Sequence, residues 1–391
     1  MRSARWRSER GTPPPKRVHL ADDTTSADVA YRLACEGTAL LWRGDFHNAR
    51  QLLQALARRV DKPAKASKEA KRVRVSSKKI ADKLENTGAS ASLAFNLHRQ
   101  AQSQRARVLG MVLLPFEADY SVPLRRAPDA RLACAEAWGA PDGGESVASL
   151  RELMGLISAH EWRKKGVEIA ALGEPPLNRI HPHYGVFSPV RGEYVSLVAS
   201  APLPGPAELL LAFDIGTGTG VLAAVLARRG IRRVVATDQD PRALVCARDN
   251  LTRLRVSGQP GVSVQVVQAD LFPPGLADLI VCNPPWLPAR PGSPLEAAVY
   301  DEGSRMLLGF LKGLATHLAP GGVGWLILSD LAEHLGLRTR GELMAAIEGA
   351  GLAVAGRLDA RPLHPKATDA TDPLHAARAH EVTSLWRLVA V

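Results

Sequence analysis

The feature that most constrains this chain is a regular alternation of short apolar runs and amphipathic helical segments over its second half. From about residue 209 onwards, five apolar runs are each followed by a helix or a loop; they read LLLAFD, RRVVATD, VSVQVVQAD, ADLIVCN and GVGWLILSD. Strands that alternate with helices pack as a parallel sheet with right-handed crossovers. The pattern therefore predicts an α/β domain with a mainly parallel sheet. The final run, VTSLWRLVAV, predicts an antiparallel strand at or near a sheet edge.

The residues before this α/β domain lack the alternation, and we expect two regions there. Residues 1–23 are predicted to be a flexible basic tail, since three consecutive prolines at 13–15 exclude a helix. Residues 24–170 are predicted to form a mostly helical domain that carries a basic segment at 58–83. The α/β domain is then expected to occupy residues 171–391.

The helical prediction for 24–170 depends on the spacing of apolar residues. They recur at three- and four-residue intervals over 26–59, where Leu40 and Leu41 belong to the series, and again over 91–111. That spacing places apolar side chains on one face of an α-helix. The lysine-rich stretch between the two series is either an exposed helix or a disordered insertion.

The net charge of +11 is concentrated in two N-terminal segments. Residues 1–20 hold six Lys and Arg against one Glu, residues 58–83 hold eleven against three acids, and the remaining 345 residues have a net charge of −2. Such an asymmetry is typical of an arm that binds a polyanion, and we expect nucleic acid, with RNA favoured, as the partner. The alternative is a solvated linker without a partner.

Cysteine usage and hydropathy predict a reducing, non-membrane location. The four cysteines, at 35, 134, 246 and 282, form no C-x-x-C pair, so neither a disulfide framework nor a zinc site is expected. The basic start is not followed by an apolar stretch, which excludes a secretory signal, and no uninterrupted apolar run reaches about 18 residues. We therefore expect a cytoplasmic protein with no membrane span and no bound metal.

The first apolar run ends in a glycine-rich turn, Asp214-Ile215-Gly216-Thr217-Gly218-Thr219-Gly220. Alternate glycines let the backbone turn sharply and approach a ligand closely. A dinucleotide fingerprint would need glycine at the position of Val221 and would not begin with an acid. The turn instead resembles the D-x-G-x-G-x-G motif of class I S-adenosylmethionine-dependent methyltransferases. This resemblance implies a Rossmann-like fold and S-adenosylmethionine bound at Asp214, Gly216, Thr217, Gly218 and Gly220.

Acids at the ends of the next two apolar runs agree with that resemblance. Asp238 ends the second run, and a carboxylate there can accept both ribose hydroxyls of the cofactor; Asp240 is the alternative. The third run ends in Asp270 and Leu271, for which the resemblance implies an acceptor for the adenine amino group and a cover over its ring. Ligands of open α/β sheets bind at the carboxyl ends of strands, so the order of these positions supports one shared site.

The fourth run ends in Asn283-Pro284-Pro285-Trp286, the most specific motif of the chain. It resembles the N/D-P-P-Y/F/W motif of methyltransferases that modify planar amino groups, which makes these four the predicted catalytic residues. The lone pair of such a nitrogen is delocalised, and the Asn283 oxygen and the Pro284 carbonyl can together draw the amine out of planarity. Trp286 is expected to stack on the flat acceptor. No strong general base is needed, because the methyl donor is already activated and alignment supplies much of the rate.

A segment before the first strand, over 182–194, resembles one that packs over the cofactor in nucleic-acid amino and glutamine-amide methyltransferases. The resemblance implies that Phe187 and Arg191 lie near the methionine end of the cofactor. His181 and His183 are expected to be surface or packing residues, because two histidines with no acid or Cys beside them are poor evidence for a metal.

The resemblance covers about residues 180–391 and leaves three hypotheses for function. The first is transfer of a methyl group to an amino nitrogen of a base in rRNA, tRNA or DNA, with the basic N-terminal segments holding phosphates. The second is methylation of a glutamine side-chain amide in a translation-related protein, which implies contact with the ribosome or a translation factor; those enzymes usually carry Tyr where this chain has Trp286. The third, a scaffold without catalysis, is disfavoured because every expected cofactor and acceptor position is filled.

Overall fold

The computed structural model describes residues 4–61, 88–190, 192–256, 261–292, 296, 298–362, 369 and 372–391. The chain divides into two compact units, Met1–Glu161 and Trp162–Val391. The predicted basic segment at 58–83 lies outside the described residues from position 62 onwards.

Within the residues that the structure describes, the first unit combines five strands with five helices. The strands are Arg5–Trp6 (β1), Arg17–Ala21 (β2), Thr38–Trp42 (β3), Val112–Phe116 (β4) and Ser146–Ser149 (β5). The helices are Ala27–Cys35 (α1), Phe46–Asp61 (α2), Gly88–Leu109 (α3), Arg131–Trp138 (α4) and Leu150–Lys165 (α5), whose last residues belong to the second unit. The strands form one sheet in the order β1-β5-β4-β3-β2, in which only the β4–β5 pair is antiparallel.

The prediction of a flexible tail over residues 1–23 is wrong, because β1 and β2 are strands of this sheet. Proline excludes a helix but is compatible with the extended chain that joins the two strands. Arg7, counted above among the tail's charges, has a side chain only 10% exposed. Its guanidinium lies over the rings of Tyr120 and Trp138, at 4.8 and 5.2 Å from their centres. At least this charge stabilises the fold of the first unit.

The prediction that Leu40 and Leu41 lie on a helix is also wrong, because both belong to β3. This strand pairs in parallel with β2 and β4, and its Ala39 and Leu40 are completely buried. A strand buried on both faces has a continuous apolar run, whose spacing resembles that of a buried helix. The helices predicted for 24–170 therefore accompany a sheet that apolar spacing did not reveal.

The second unit contains nine strands and seven α-helices within its described residues, apart from the end of α5. The strands are Val167–Glu168 (β6), Arg179–Ile180 (β7), Leu211–Ile215 (β8), Arg233–Asp238 (β9), Ser263–Gln268 (β10), Ala277–Cys282 (β11), Leu318–Ser329 (β12), Leu352–Ala360 (β13) and Thr383–Ala390 (β14). The helices are Glu193–Ser200 (α6), Val221–Arg228 (α7), Pro241–Arg253 (α8), Arg305–His317 (α9), Leu331–His334 (α10), Arg340–Gly349 (α11) and His375–Arg378 (α12). Nowhere in the described parts of either unit is a helix both long and apolar enough to cross a membrane.

Seven of these strands form a sheet in the order β10-β9-β8-β11-β12-β14-β13. The five strands from β8 to β12 are mutually parallel, and β14 is antiparallel to both of its neighbours. The predicted α/β class with a mainly parallel, Rossmann-like sheet is confirmed. The last strand is antiparallel as predicted and lies next to the edge strand, β13, which the apolar runs did not indicate.

Side chains of the central strands alternate between two hydrophobic clusters, one on each face of the sheet. Along β11, Leu279 and Val281 pack into a cluster with α6 and α7, whereas Ile280 and Cys282 pack into a cluster with α9 and α11. Burial on both faces explains why these strands are uniformly apolar. The order of strands reverses between β8 and β11, and ligands of open α/β sheets bind at such a point, beyond the carboxyl ends of the strands.

Candidate active site

The glycine-rich turn leaves β8 at the carboxyl edge of the sheet. Gly216, Gly218 and Gly220 have φ angles of +71°, +54° and +80°, a left-handed region that disfavours side chains. A Cβ at Gly216 would collide with the Met306 methyl group, and one at Gly220 would lie 3.2 Å from the backbone of Ala247 in α8. A Cβ at Gly218 would meet nothing within 4 Å. The left-handed φ therefore favours glycine at all three positions, packing adds to that preference at Gly216 and Gly220, and Gly218 faces open space.

Asp214 stabilises this turn from within. It is 1% exposed, and its Oδ2 accepts hydrogen bonds from the Thr217 hydroxyl at 2.6 Å and from the Ala223 amide at 3.0 Å. Burial raises the pKa of Asp214 to about 6, while the bonds from Thr217 and Ala223 oppose that rise. Asp214 and Thr217 therefore shape the turn, and direct contact of either with a cofactor stays a prediction.

Asp238 ends β9 beside the turn. Its Oδ2 accepts from the Gly218 amide at 3.0 Å, and its Oδ1 accepts from the Asp240 amide at 3.0 Å. Burial raises the pKa of Asp238 as well. Each carboxylate oxygen keeps a second lone pair, which suits a pair of ribose hydroxyls. Asp240 instead caps α8 by accepting from the Arg242 amide at 2.9 Å. Asp238 is the better candidate because it is hydrogen-bonded to Gly218 of the glycine-rich turn.

Asp270 and Leu271 follow β10 at the same edge. Leu271 has a φ of +75°, and its carbonyl accepts a 2.6 Å hydrogen bond from the buried Thr237 hydroxyl. The Leu271 side chain packs on Gly309 of α9, and a Cβ added to Gly309 would lie 2.7 Å from the Leu271 Cδ1 atom. Asp270 is exposed and accepts from Arg305 at 2.8 Å. The structure thus holds Leu271 firmly and leaves the Asp270 carboxylate at the surface beside a cation.

Asn283 leaves β11 directly beside the glycine-rich turn. Cys282 and Ile215 are partners in the parallel β11–β8 pair, so the next residues, Asn283 and Gly216, emerge side by side. Pro284 is buried, and no group among the described residues donates to its carbonyl. The Asn283 side-chain oxygen accepts from the Trp286 indole N–H at 2.9 Å. The two predicted acceptors therefore lie where the strand order reverses, next to the predicted cofactor turn.

The chain beyond Trp286 returns to the same edge and starts α9. The Asp301 amide donates to the Leu287 carbonyl at 2.8 Å, and the Asp301 carboxylate accepts from the amides of Met306 and Leu307 at 3.0 and 3.1 Å. Met306 in turn contacts Gly216. Asp301 and Met306 thus connect the acceptor segment to the cofactor turn. Nothing in the sequence indicated either residue, because both act through contacts with distant parts of the chain.

The segment over 182–194 is anchored on α8. Within the segment, the His183 amide donates to the Cys246 sulfur of α8 at 3.3 Å. Just before it, the His181 amide donates to the side-chain oxygen of Asn250 at 2.8 Å, and the Asn250 side-chain nitrogen donates to the Thr219 carbonyl of the glycine-rich turn at 3.1 Å. The sequence did contain a sign of this anchoring role, because Asn250 is a polar residue on the apolar face of α8. Phe187 is half-buried in the segment, and its contact with a cofactor stays a prediction. Arg191 lies outside the described residues.

Together these groups fit the adenosyl and methionine parts of S-adenosylmethionine. The open space above Gly218 leaves room for a ligand against the backbone, and Asp238 offers free acceptor lone pairs beside it. Leu271 supplies an apolar surface on the far side of β9. The residues present are therefore compatible with this cofactor, although their individual contacts remain predictions.

Comparison with known proteins agrees with this geometry. Residues 178–330 match the family described as the methyltransferase small domain. The chain is 40% identical to the ribosomal protein L11 methyltransferase of Pelotomaculum thermopropionicum over 147 residues, which cover 37% of this chain and 39% of the relative. It is 38% identical to the release factor glutamine methyltransferase of Mycolicibacterium smegmatis over 143 residues, which cover 34% and 46%. The matched region spans less than half the length of these two relatives.

A third relative is matched over most of its length. The tRNA1(Val) (adenine(37)-N6)-methyltransferase of Shewanella amazonensis is 30% identical over 183 residues, which cover 42% of this chain and 75% of the relative. The family match lies within the second unit and includes the glycine-rich turn and the Asn-Pro-Pro-Trp motif.

Proposed function

Because this chain belongs to the methyltransferase small domain family of class I S-adenosylmethionine-dependent methyltransferases, we propose that it methylates an amino nitrogen of a nucleic-acid base, with RNA as the favoured acceptor. The observation that carries the proposal is the position of Asn283 beside Gly216 across the β8–β11 pair. A second support is the relative from Shewanella amazonensis, an adenine-N6 methyltransferase, because the match with this chain covers 75% of its length.

In this proposal the cofactor is held by residues at the ends of three strands. The turn over 216–220 holds the methionine part with Phe187 and Arg191 beside it, Asp238 accepts the ribose hydroxyls, and Asp270 and Leu271 bind the adenine. When bound, S-adenosylmethionine supplies a methyl group already activated as a sulfonium, and S-adenosylhomocysteine and one proton are released. The chain therefore needs to supply only alignment, which can lower the activation free energy by about 7–11 kcal/mol.

In the same proposal, the motif at 283–286 aligns the acceptor. The Asn283 side-chain oxygen and the Pro284 carbonyl accept the two N–H groups of the acceptor and draw the nitrogen out of conjugation. Pro284 has no N–H and a restricted φ, which helps to hold its carbonyl in place. Pro285 limits the chain beyond it in the same way, and Trp286 offers a partly exposed aromatic surface to a flat base.

The basic segment at 58–83 is proposed to hold phosphates of the acceptor RNA. Each phosphate neutralised adds about −0.9 to the slope of log binding constant against log salt on duplexes, and about −0.7 on single strands. We expect neutralisation of Lys65, Lys68, Lys71 and Arg72 to glutamine to make this slope shallower for total tRNA. An unchanged slope would remove the segment from the proposal without affecting the catalytic assignment.

A second candidate is methylation of a glutamine amide in a protein of the translation apparatus. The 38% identity to a release factor glutamine methyltransferase favours it, because a carboxamide also carries a planar –NH2 group that the same pair of acceptors would bind. The two candidates differ in acceptor and share the cofactor and the motif at 283–286.

The test is the partition of tritiated methyl groups. Extract from cells that lack this gene is incubated with the purified protein and labelled S-adenosylmethionine, then separated into rRNA, tRNA, DNA and protein. Label in RNA that Asn283→Ala abolishes is the expected result. Label in protein alone would favour the second candidate, and no label in any fraction while S-adenosylhomocysteine still binds would contradict both.

A further inference from the structure

The indole of Trp286 donates a hydrogen bond to the side-chain oxygen of Asn283 at 2.9 Å. We propose that Trp286 is a positioning residue, whose N–H holds the Asn283 carboxamide with its oxygen, and not its NH2 group, available to the acceptor amine. This inference rests on the proposed N-methylation and assigns Trp286 a role beyond stacking on the acceptor.

The chemistry of the two groups decides which amide atom faces the indole. An indole N–H only donates, so the Asn283 atom within 2.9 Å of it must be the oxygen. A carboxamide oxygen has two lone pairs, and the bond to Trp286 uses one of them. The second stays available for an N–H of the acceptor. A flipped Asn283 would instead present its own N–H groups to an amine that also needs to donate, and the two would repel.

Packing fixes the direction of this donor. Trp286 is partly buried and contacts the hydrophobic clusters on both faces of the sheet. Asn283 follows immediately after Cys282, which is completely buried in β11. Both partners are therefore attached to rigid parts of the second unit, and the hydrogen bond spans only three residues.

This geometry gives a physical reason for Trp at this position of the motif, where the resemblance allows Tyr or Phe as well. The indole N–H projects from the side of the ring system and reaches an atom three residues earlier in the chain. The Tyr hydroxyl projects from the far end of its ring, and Phe has no donor. Either replacement would keep an aromatic surface and lose control over the orientation of the Asn283 amide.

The first test is a double-mutant cycle with Asn283→Asp. A carboxylate has two acceptor oxygens, so its orientation needs no control. We expect Trp286→Phe alone to lower the single-turnover methylation rate about tenfold, as loss of one hydrogen bond of about 1.4 kcal/mol would. In the Asn283→Asp background the same substitution should change the rate less than about twofold. The affinity for S-adenosylhomocysteine should stay constant throughout.

The measurement uses enzyme in excess, labelled cofactor and total RNA from cells that lack the gene; the protein fraction replaces RNA if the label enters protein. Trp162→Phe is the matched control, since Trp162 is 48% exposed in α5 and should leave the rate unchanged. A Trp286→Phe rate equal to or above that of the unaltered protein overturns the inference. An equal loss in both backgrounds also overturns it, because the role would then be packing. If the unaltered protein methylates nothing, the proposed function fails first.

A second measurement does not depend on turnover. In ¹⁵N-labelled protein, the indole signal of Trp286 is the one missing from Trp286→Phe. We expect its proton to exchange faster and to shift in Asn283→Ala, and to stay close to its original position in Asn283→Asp, which keeps an acceptor. An indole signal that Asn283→Ala leaves unchanged would show that the bond does not exist in solution and would overturn the inference.

Discussion

The carboxyl edge of the parallel sheet in the second unit and the surface of the first unit place most of their acidic groups in opposite electrostatic situations. In the first unit, hydrogen bonds to arginines, hydroxyls or backbone amides lower the pKa of most carboxyls that depart from ordinary values, namely Asp22, Asp45, Asp61, Asp119, Asp129 and Asp142. Half-buried Glu152 is the exception, because partial burial raises its pKa. In the second unit, burial raises the pKa of Asp214 and Asp238, and both lie at the carboxyl edge of the parallel sheet. Away from that edge, hydrogen bonds chiefly from the Thr339 amide and from Arg357 lower the pKa of Glu342 and Asp359, as in the first unit.

This difference separates a supporting role from a functional one. Surface carboxyls paired with nearby donors stabilise local structure, whereas carboxyls held where ionisation is opposed are concentrated at functional sites. The same contrast applies to asparagines, glycines and exposed ion pairs. Matched substitutions in the two units therefore test whether function resides at one sheet edge.

The largest contrast is expected for asparagine. Asn283→Ala removes an acceptor that acts on the reacting nitrogen, so the methylation rate should fall about 100-fold or more, while S-adenosylhomocysteine binds as before. Asn96→Ala, on the exposed side of α3 in the first unit, should change neither. Single-turnover rates and calorimetric binding measure both. Loss of cofactor binding in Asn283→Ala would show that the acceptor site has been misplaced.

The next contrast concerns pH. The pKa of Asp214 is about 6 in the fold and 3.8 ordinarily, so its contribution to stability is fully present below pH 3.8 and is lost as pH rises through 6. Asp214→Asn should therefore gain stability relative to the unaltered protein over that window, by at most about 3 kcal/mol.

For Asp129 in the first unit, the pKa shift and its effect on stability have the opposite sign to those of Asp214. The pKa of Asp129 is lowered to about 2 from 3.8, chiefly by the hydrogen bond from Arg131, so the stability it adds is present above pH 3.8 and is lost as pH falls through 2. The difference between Asp129→Asn and the unaltered protein should shrink there. Denaturant unfolding at a series of pH values measures both differences, and two pH-independent differences would contradict the account.

A smaller contrast is expected for glycine. Gly218 and Gly37 have φ angles of +54° and +79°, and a Cβ at either would meet nothing within 4 Å. Alanine should destabilise both by about 1–2 kcal/mol through backbone strain. Only Gly218→Ala should also weaken S-adenosylhomocysteine binding, by about tenfold, since overpacking costs about 1–3 kcal/mol. Equal affinities for the two variants would mean that the cofactor does not lie over Gly218.

The smallest contrast concerns exposed ion pairs. Arg305 contacts Asp270 at 2.8 Å, with both side chains more than 60% exposed. Such pairs contribute about 0.2–1 kcal/mol, so Arg305→Ala should change S-adenosylhomocysteine affinity less than about fivefold. Arg131→Ala, which breaks the comparable pair with Asp129 in the first unit, should leave that affinity unchanged. A large loss in Arg305→Ala would give Arg305 a direct role in binding.

Local signals in the sequence were sufficient for the parallel strands of the second unit and for the position of Asn283 at the end of β11, but they did not indicate the edge strand β13. Each apolar run ends in residues that cannot continue a strand, such as Gly216 or Pro284, and the parallel arrangement brings those ends to one edge. The strand β3 was missed because an apolar run buried on both faces looks the same in a helix and in a parallel sheet.

Other features depend on contacts that no local pattern encodes. Met306 packs on Gly216 from 90 positions further along the chain, and Asn250 joins His181 to Thr219. The hydrogen bond between Trp286 and Asn283 joins residues only three positions apart, yet it depends on side-chain orientations that packing determines. Side-chain geometry of this kind needs the folded structure.

The most direct test of the central claim is a crystal structure of the protein with S-adenosylhomocysteine. We predict that the ligand crosses the turn over 216–220, that its ribose hydroxyls contact Asp238, and that its sulfur faces the gap between the Asn283 oxygen and the Pro284 carbonyl. A ligand bound elsewhere, or a sulfur remote from Asn283, would contradict the assignment.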